Sequence, residues 1–140
     1  MEITETAVMQ DLAQVQWAAG QLRGLGCGVT LDDFGIGFST LSRLLALPLT
    51  RIKVDRRFVR AIHDSPTSIK IVRSLLTLAR DMEVGCVIEG VETVAELDVL
   101  RELGAQLMQG YLCARPMTPS AISCWLRDEA SLAVLRHGAA

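Results

Sequence analysis

Five short apolar runs in this chain each close on a polar residue, and they recur at intervals that hold one strand, one helix and short loops. The closing residues are Glu2 and Glu5, then Asp32-Asp33, Lys53, Glu89 with Glu92, and Gln109. Such a beat belongs to parallel β/α architecture, because parallel neighbours need a long crossover and the crossover usually packs as a helix. In a parallel α/β barrel the C-terminal strand ends converge on one rim, and chemistry is built there. Six carboxylates, one lysine and one amide would then share one mouth. Carboxylates crowded together repel unless cations lie between them, so the pattern asks for metal.

The same reading places the strands at Ile3 and at 27–31, 51–55, 85–88 and 106–108. Between the first two, Leu12, Val15, Ala19 and Leu22 recur at helical spacing, with Gly24 and Gly26 as the stop. Residues 34–40, Phe-Gly-Ile-Gly-Phe-Ser-Thr, read as a flexible loop leading into a short helix that runs to Leu47. Ser65 followed by Pro66 starts a long helix with the apolar stripe Ile69, Val72, Leu76, Ala79 and Met82. Thr93 with Glu96 forms a capping box, and Leu97, Leu100 and Leu103 give that helix its buried face. Thr118 and Pro119 begin a last helix through Ile122, Trp125 and Leu126, with further turns near Leu132 and Leu135.

No composition break interrupts this alternation, so residues 1–140 read as a single domain. About five parallel β-α units predict the α/β class, as a partial (β/α)8 TIM-like barrel. A full barrel takes about 250 residues. Mean hydropathy is +0.33, an apolar excess that suggests a sheet buried on both faces or surface meant for a further segment. No run approaches the roughly 20 apolar residues needed to cross a bilayer. Met1 leads straight into Glu2-Ile3-Thr4-Glu5 with no secretory pattern, so a cytoplasmic setting is expected. A net charge of −2 without a basic tract argues against duplex nucleic acid, while a small phosphate ligand is open if metal supplies the positive charge. Cys27, Cys86, Cys113 and Cys124 lack zinc-knuckle or redox spacing, and Cys27 and Cys86, in expected strands, read as reduced core thiols. His63 and His137 form no cluster, so neither reads as a ligand.

Each site residue has an ordinary explanation when taken singly. Glu2 could be a solvated terminal carboxylate, Asp32-Asp33 a turn, Gly35 and Gly37 a plain glycine loop, and Lys53 an edge-strand lysine. Glu5 and Glu92 could cap helices or hold loops. Adjacent aspartates at a strand end point to opposite faces and could serve different cations. A lysine facing a barrel interior must find partners or change its protonation state. The coincidence of all these residues at unit spacing outweighs the ordinary explanations.

Five strings, in order, carry a resemblance: Glu2-Ile3-Thr4-Glu5, the run from Leu31 through Asp32-Asp33-Phe34-Gly35 to Leu41, Ile52-Lys53-Val54-Asp55, Glu89-Gly90-Val91-Glu92-Thr93, and Gln109-Gly110-Tyr111-Leu112. They resemble the motifs of the EAL-domain family, and the resemblance runs from Glu2 to about Trp125. It implies a modified (β/α)8 barrel and a bacterial phosphodiesterase that opens cyclic di-GMP to pGpG with Mg²⁺ or Mn²⁺. It implies Glu2, Asp32, Asp33 and Glu89 as metal ligands, Asp32 bridging two ions. Lys53 and Gln109 would hold the attacking water or the metal shell. Glu89 would bind metal and is also the favoured candidate for assisting deprotonation. Glu5, Glu92, Phe34, Gly35, Gly37 and Ser39 would anchor or form the loop that couples substrate, metals and a homodimer interface. Paired cations suit such chemistry, since they clamp the attacking and leaving oxygens of an in-line displacement.

The family's Glu-Ala-Leu string and an asparagine of the next strand would precede Glu2, so this chain reads as the C-terminal part of such a domain. The first ion would keep only Glu2 and Asp32, and weak or absent turnover is expected of the chain alone. Ile36 replaces a small polar residue and Phe38 a tyrosine. The alternative is a degenerate module that binds cyclic di-GMP or assembles without catalysis. An open sheet also predicts a dimer or higher oligomer.

Overall fold

In the computed structural model, which describes residues 1–35 and 41–127, the expected strands pair side by side in chain order. β1 (Glu2–Thr4), β2 (Thr30–Phe34), β3 (Arg51–Val54), β4 (Gly85–Glu89) and β5 (Leu107–Gln109) form one sheet, every pair parallel. Right-handed crossovers between successive neighbours put the connecting helices on one face. That is the winding of a barrel wall; a doubly wound sheet reverses its order at a switch point. Among the described residues β1 and β5 each have one strand neighbour, so the wall is open.

The helices are α1 (Glu5–Gln10), α2 (Leu12–Gly24), α3 (Leu41–Leu45), α4 (Pro66–Asp81), α5 (Val94–Glu102) and α6 (Pro119–Trp125). Their starts obey local chemistry. Ser65 Oγ accepts the Ser68 N–H at 3.2 Å, and Thr93 and Glu96 complete the capping box that opens α5. Where one helix was expected before β2 there are two, because the Asp11 side chain accepts the Gln14 N–H at 3.0 Å and starts α2 afresh. None of the helices is long and apolar enough to cross a membrane among the described residues. Gly37 and Ser39, with Ile36, Phe38 and Thr40, and the turns expected near Leu132 and Leu135, lie outside the described residues.

The core lies between the sheet and the helices. Leu31 and Ile52 pack with Val8, Phe34, Leu44 and Ala79, while Val54 and Ile88 pack with Val72, Leu76, Leu97 and Leu100. The opposite face of the sheet is polar, with Glu2, Asp32, Lys53, Glu89 and Gln109 along it at alternate positions. Burial on both faces is therefore not what the apolar excess reports. Part of it stands at the surface, in Trp17, Leu25, Leu45, Val94 and Leu126.

Strand boundaries move by one residue at β3, β4 and β5 and by three at each end of β2. β2 starts at Thr30, because the Cys27 N–H donates to Leu22 O at 2.9 Å and residue 27 finishes the end of α2. Cys27 is exposed, not a core thiol. Cys86 does pack against the core, and burial pushes its thiol up to about 11. At the other end, β2 takes in both aspartates and Phe34.

Candidate active site

Lys53 stands at the centre of the polar face. Its side chain is 10% exposed, and its ammonium lies 2.7 Å from Glu89, 3.0 Å from Glu2 and 3.1 Å from Asp32. The three carboxylates arrive from β4, β1 and β2, so three strands converge on one cation. Burial alone would lower the pKa of Lys53. Hydrogen bonds to Glu89, Glu2 and Asp32, reinforced by the Glu89 charge, outweigh it and hold the group well above the usual lysine value. An ammonium so stabilised stays charged at neutral pH and is a poor proton acceptor.

Asp33 does not point away from Asp32. The β2–β3 register shifts between Leu31 and Phe34, and Asp33 takes a left-handed φ of 56°. Such a bulge redirects the side chain that simple alternation would send to the covered face. Carboxylate oxygens of Asp32, Asp33 and Glu89 consequently lie within 4.8 Å of one another. This overturns the expectation of diverging aspartates. Three clustered oxygen donors, with an ammonium already seated between two of them and Glu2, fit a hard divalent cation.

Glu89 and Gln109 end β4 and β5 directly opposite each other, and both line a cleft of about 410 Å³ beside Asp33. Glu92 lines the same cleft and is exposed, its backbone N–H donating to Glu96 Oε2 at 2.9 Å. Glu5 is buried in the first turn of α1. Phe34 packs into the core, and a Cβ on Gly35 would stand 2.9 Å from the Phe58 ring, so both sit firmly at the start of the expected loop. Of the residues expected at the site, Glu2, Asp32, Lys53 and Glu89 are thus joined directly. Asp33, Gln109 and Glu92 border them, while Glu5, Phe34 and Gly35 lie behind.

Residue-by-residue reading assigned no role to Asp55, Arg56 or Tyr111, although all three line the cleft. Asp55 falls just after β3 and not within it. Its carboxylate accepts the Arg57 N–H at 2.8 Å and Nε at 3.0 Å. Strand alternation from Lys53 marks Asp55 as sharing its face, a signal already present in the sequence.

The family profile of the EAL domain matches residues 1–116. The cyclic di-GMP phosphodiesterase RocR of Pseudomonas aeruginosa is 42% identical over 116 residues, covering 83% of this chain and 30% of RocR. Among solved structures, the PaMucR phosphodiesterase in complex with c-di-GMP superposes with a TM-score of 0.81 at 36% identity, over 86% of this chain and 49% of that one. Klebsiella pneumoniae BlrP1, in a manganese/cy-diGMP complex, gives 0.77 at 41% identity over 82% of this chain and 29% of that one. The chain thus spans half or less of each of these relatives. The family match spans most of the chain, and the chain belongs to the EAL domain family.

Proposed function

We propose that this chain forms part of the catalytic rim of a phosphodiesterase that opens cyclic di-GMP to pGpG with Mg²⁺ or Mn²⁺. One observation carries the reading: carboxylates from three strands surround a buried ammonium, and a second aspartate is turned toward them by a bulge. The names of RocR and PaMucR support the substrate, and the manganese complex of BlrP1 supports the metal.

Glu2, Asp32, Asp33 and Glu89 would hold the ions, with Glu2 and Asp32 serving one of them. Bound divalent ions would neutralise the phosphoryl oxygens and make the attacking water more acidic. Lys53 would remain a cation, orienting that water and balancing the carboxylates. Gln109, at the rim, would orient by its amide. Glu89 is a weak base while committed to a cation, so its part is first to bind. Glu5, Glu92, Phe34 and Gly35 would steady the loop that continues through Gly37 and Ser39. We read residues 1–140 as one domain unit in a bacterial cytoplasmic homodimer. With Glu2 and Asp32 as the only carboxylates for one ion, the chain by itself is expected to turn over slowly or not at all.

The test is product formation by the native full-length protein. With cyclic di-GMP and Mg²⁺ or Mn²⁺ it should release pGpG, and Lys53→Met should lower kcat by about 100-fold or more, in line with loss of a positioned electrostatic group. Absence of pGpG from the native protein would overturn the reading. Tight, metal-independent binding without product would favour the non-catalytic module.

A further inference from the structure

Beside the acid-lined cleft runs a second groove, of about 360 Å³, and its lining is basic. Arg56, Arg57 and Arg60 line it, on the turn after β3, facing Gly90, Glu92 and Glu96. Arg57 is anchored to Asp55 through both its backbone N–H and its Nε. Arg56 and Arg60 have no side-chain hydrogen bond or ion pair among the described residues. Glu92, the exposed carboxylate in the lining, forms no ion pair within 4.0 Å with any of the three.

The groove is rigidly built. Glu96 Oε1 accepts the Ala61 N–H at 3.0 Å, immediately after Arg60, and Oε2 accepts from Glu92 and Thr93 at 2.9 and 3.0 Å. Both walls therefore hang on one buried carboxylate. Gly90 allows Arg56 to lie against the opposite wall, since a Cβ there would stand 2.3 Å from Arg56 Cβ. Arg56, Gly90 and Glu92 line both grooves, so the basic one opens directly onto the acidic one. Arg56 and Arg60 thus lie in the groove without an ion-pair partner among the described residues, and their planar forks match the oxygens of a phosphate.

We propose that Arg56 and Arg60, with Arg57 steadying the turn, bind a phosphate monoester: the 5′-phosphate of the linear dinucleotide product. This rests on the proposed function. In that reaction water forms a new P–O bond, the bond to the 3′ oxygen breaks, and the 3′ oxygen leaves carrying a proton. The ring opens into a 3′ hydroxyl and a 5′ monoester with one more ionisable oxygen than the diester it came from. That monoester is the phosphorus attacked at the acidic rim, so it passes over the wall shared through Arg56, Gly90 and Glu92 to reach the arginines as the product leaves. The cyclic ligand has no monoester, so the groove discriminates product from substrate and slows final product release.

The test is calorimetry on the chain in EDTA with pGpG, with GpG lacking the terminal phosphate, and with inorganic phosphate. pGpG should bind at least tenfold tighter than GpG, and the preference should vanish in the Arg56→Gln/Arg60→Gln double variant and shrink in Arg60→Gln. Inorganic phosphate should compete with pGpG and not with GpG. Unaltered melting of Arg60→Gln shows that the loss is local. Equal affinity for pGpG and GpG in the native chain, or a preference that survives the double variant, overturns the subsite. This comparison is decided whether or not cyclic di-GMP is cleaved, so failure of the functional reading shows separately, as native full-length protein that makes no pGpG.

Discussion

Glu96 is 4% exposed and holds its charge there against the cost of burial. Burial pushes its pKa up, but N–H donors from Glu92, Ala61 and Thr93, with the Thr93 hydroxyl, outweigh that and leave the carboxyl below the usual carboxylate range. A depressed pKa means the folded state prefers the ionised form. Its stabilisation is complete above the ordinary carboxylate range and is lost as pH falls through the depressed value. Glu96→Gln puts an amide N–H against one of those donors and is expected to lose about 1–3 kcal/mol at neutral pH. Urea unfolding at neutral pH and at a pH well below the usual carboxylate range should show that gap narrowing as the native carboxyl protonates. A gap of equal size at both pH values would contradict the account. The capping pair Thr93 and Glu96 was readable from spacing alone. The reach of Glu96 to Ala61 was not, because the contact crosses 35 residues.

Strands and helices were largely legible because their signals are local: alternation, caps and glycine stops. The errors fall where one element borrows from another. Residue 27 belongs to the end of α2 through its bond to Leu22, and the bulge in β2 depends on β3 as its ladder partner. The junction of β4 and β5 makes a sharp test. A Cβ on Gly110 would lie 2.0 Å from Val91 O, and the fixed neighbour is backbone, so Gly110→Ala must displace the end of β5 or the turn after β4. Gly20 is exposed within α2 and has nothing within 4 Å of the same position. Gly110→Ala should cost about 2 kcal/mol or more, as other overpacked sites do. Gly20→Ala should add about 0.5–1 kcal/mol by helix propensity. Thermal melts of the two variants check both signs, and a neutral Gly110→Ala would discredit the packing described here.

At the scale of the molecule, among the described residues the wall presents β1 and β5 as strand edges, and large apolar side chains such as Trp17 and Leu126 lie at the surface. Unpaired edges of this kind recruit other chains. We therefore expect the 140-residue chain to self-associate, with a weight-average mass that rises with concentration in analytical ultracentrifugation. A monomer of unchanged mass at high concentration would refute this. The acidic rim was foreseeable, because strand ends of a singly wound parallel sheet must share one side. The basic groove was not. Its arginines are close in sequence, but only the approach of Arg56 to Gly90 and the span of Glu96 give them a facing wall.

By itself the sequence determined the alternation of strand and helix, the side on which chemistry gathers, and the identity of most acidic groups. Those follow from short-range stereochemistry and from spacing, which one dimension records. Only the tertiary structure decided that Asp33 turns toward Asp32, that Lys53 is neutralised by three strands at once, and that acidic and basic grooves share a wall. The first depends on a bulge set against β3 as ladder partner, and the others on close approaches between residues far apart in the chain, which no local pattern encodes.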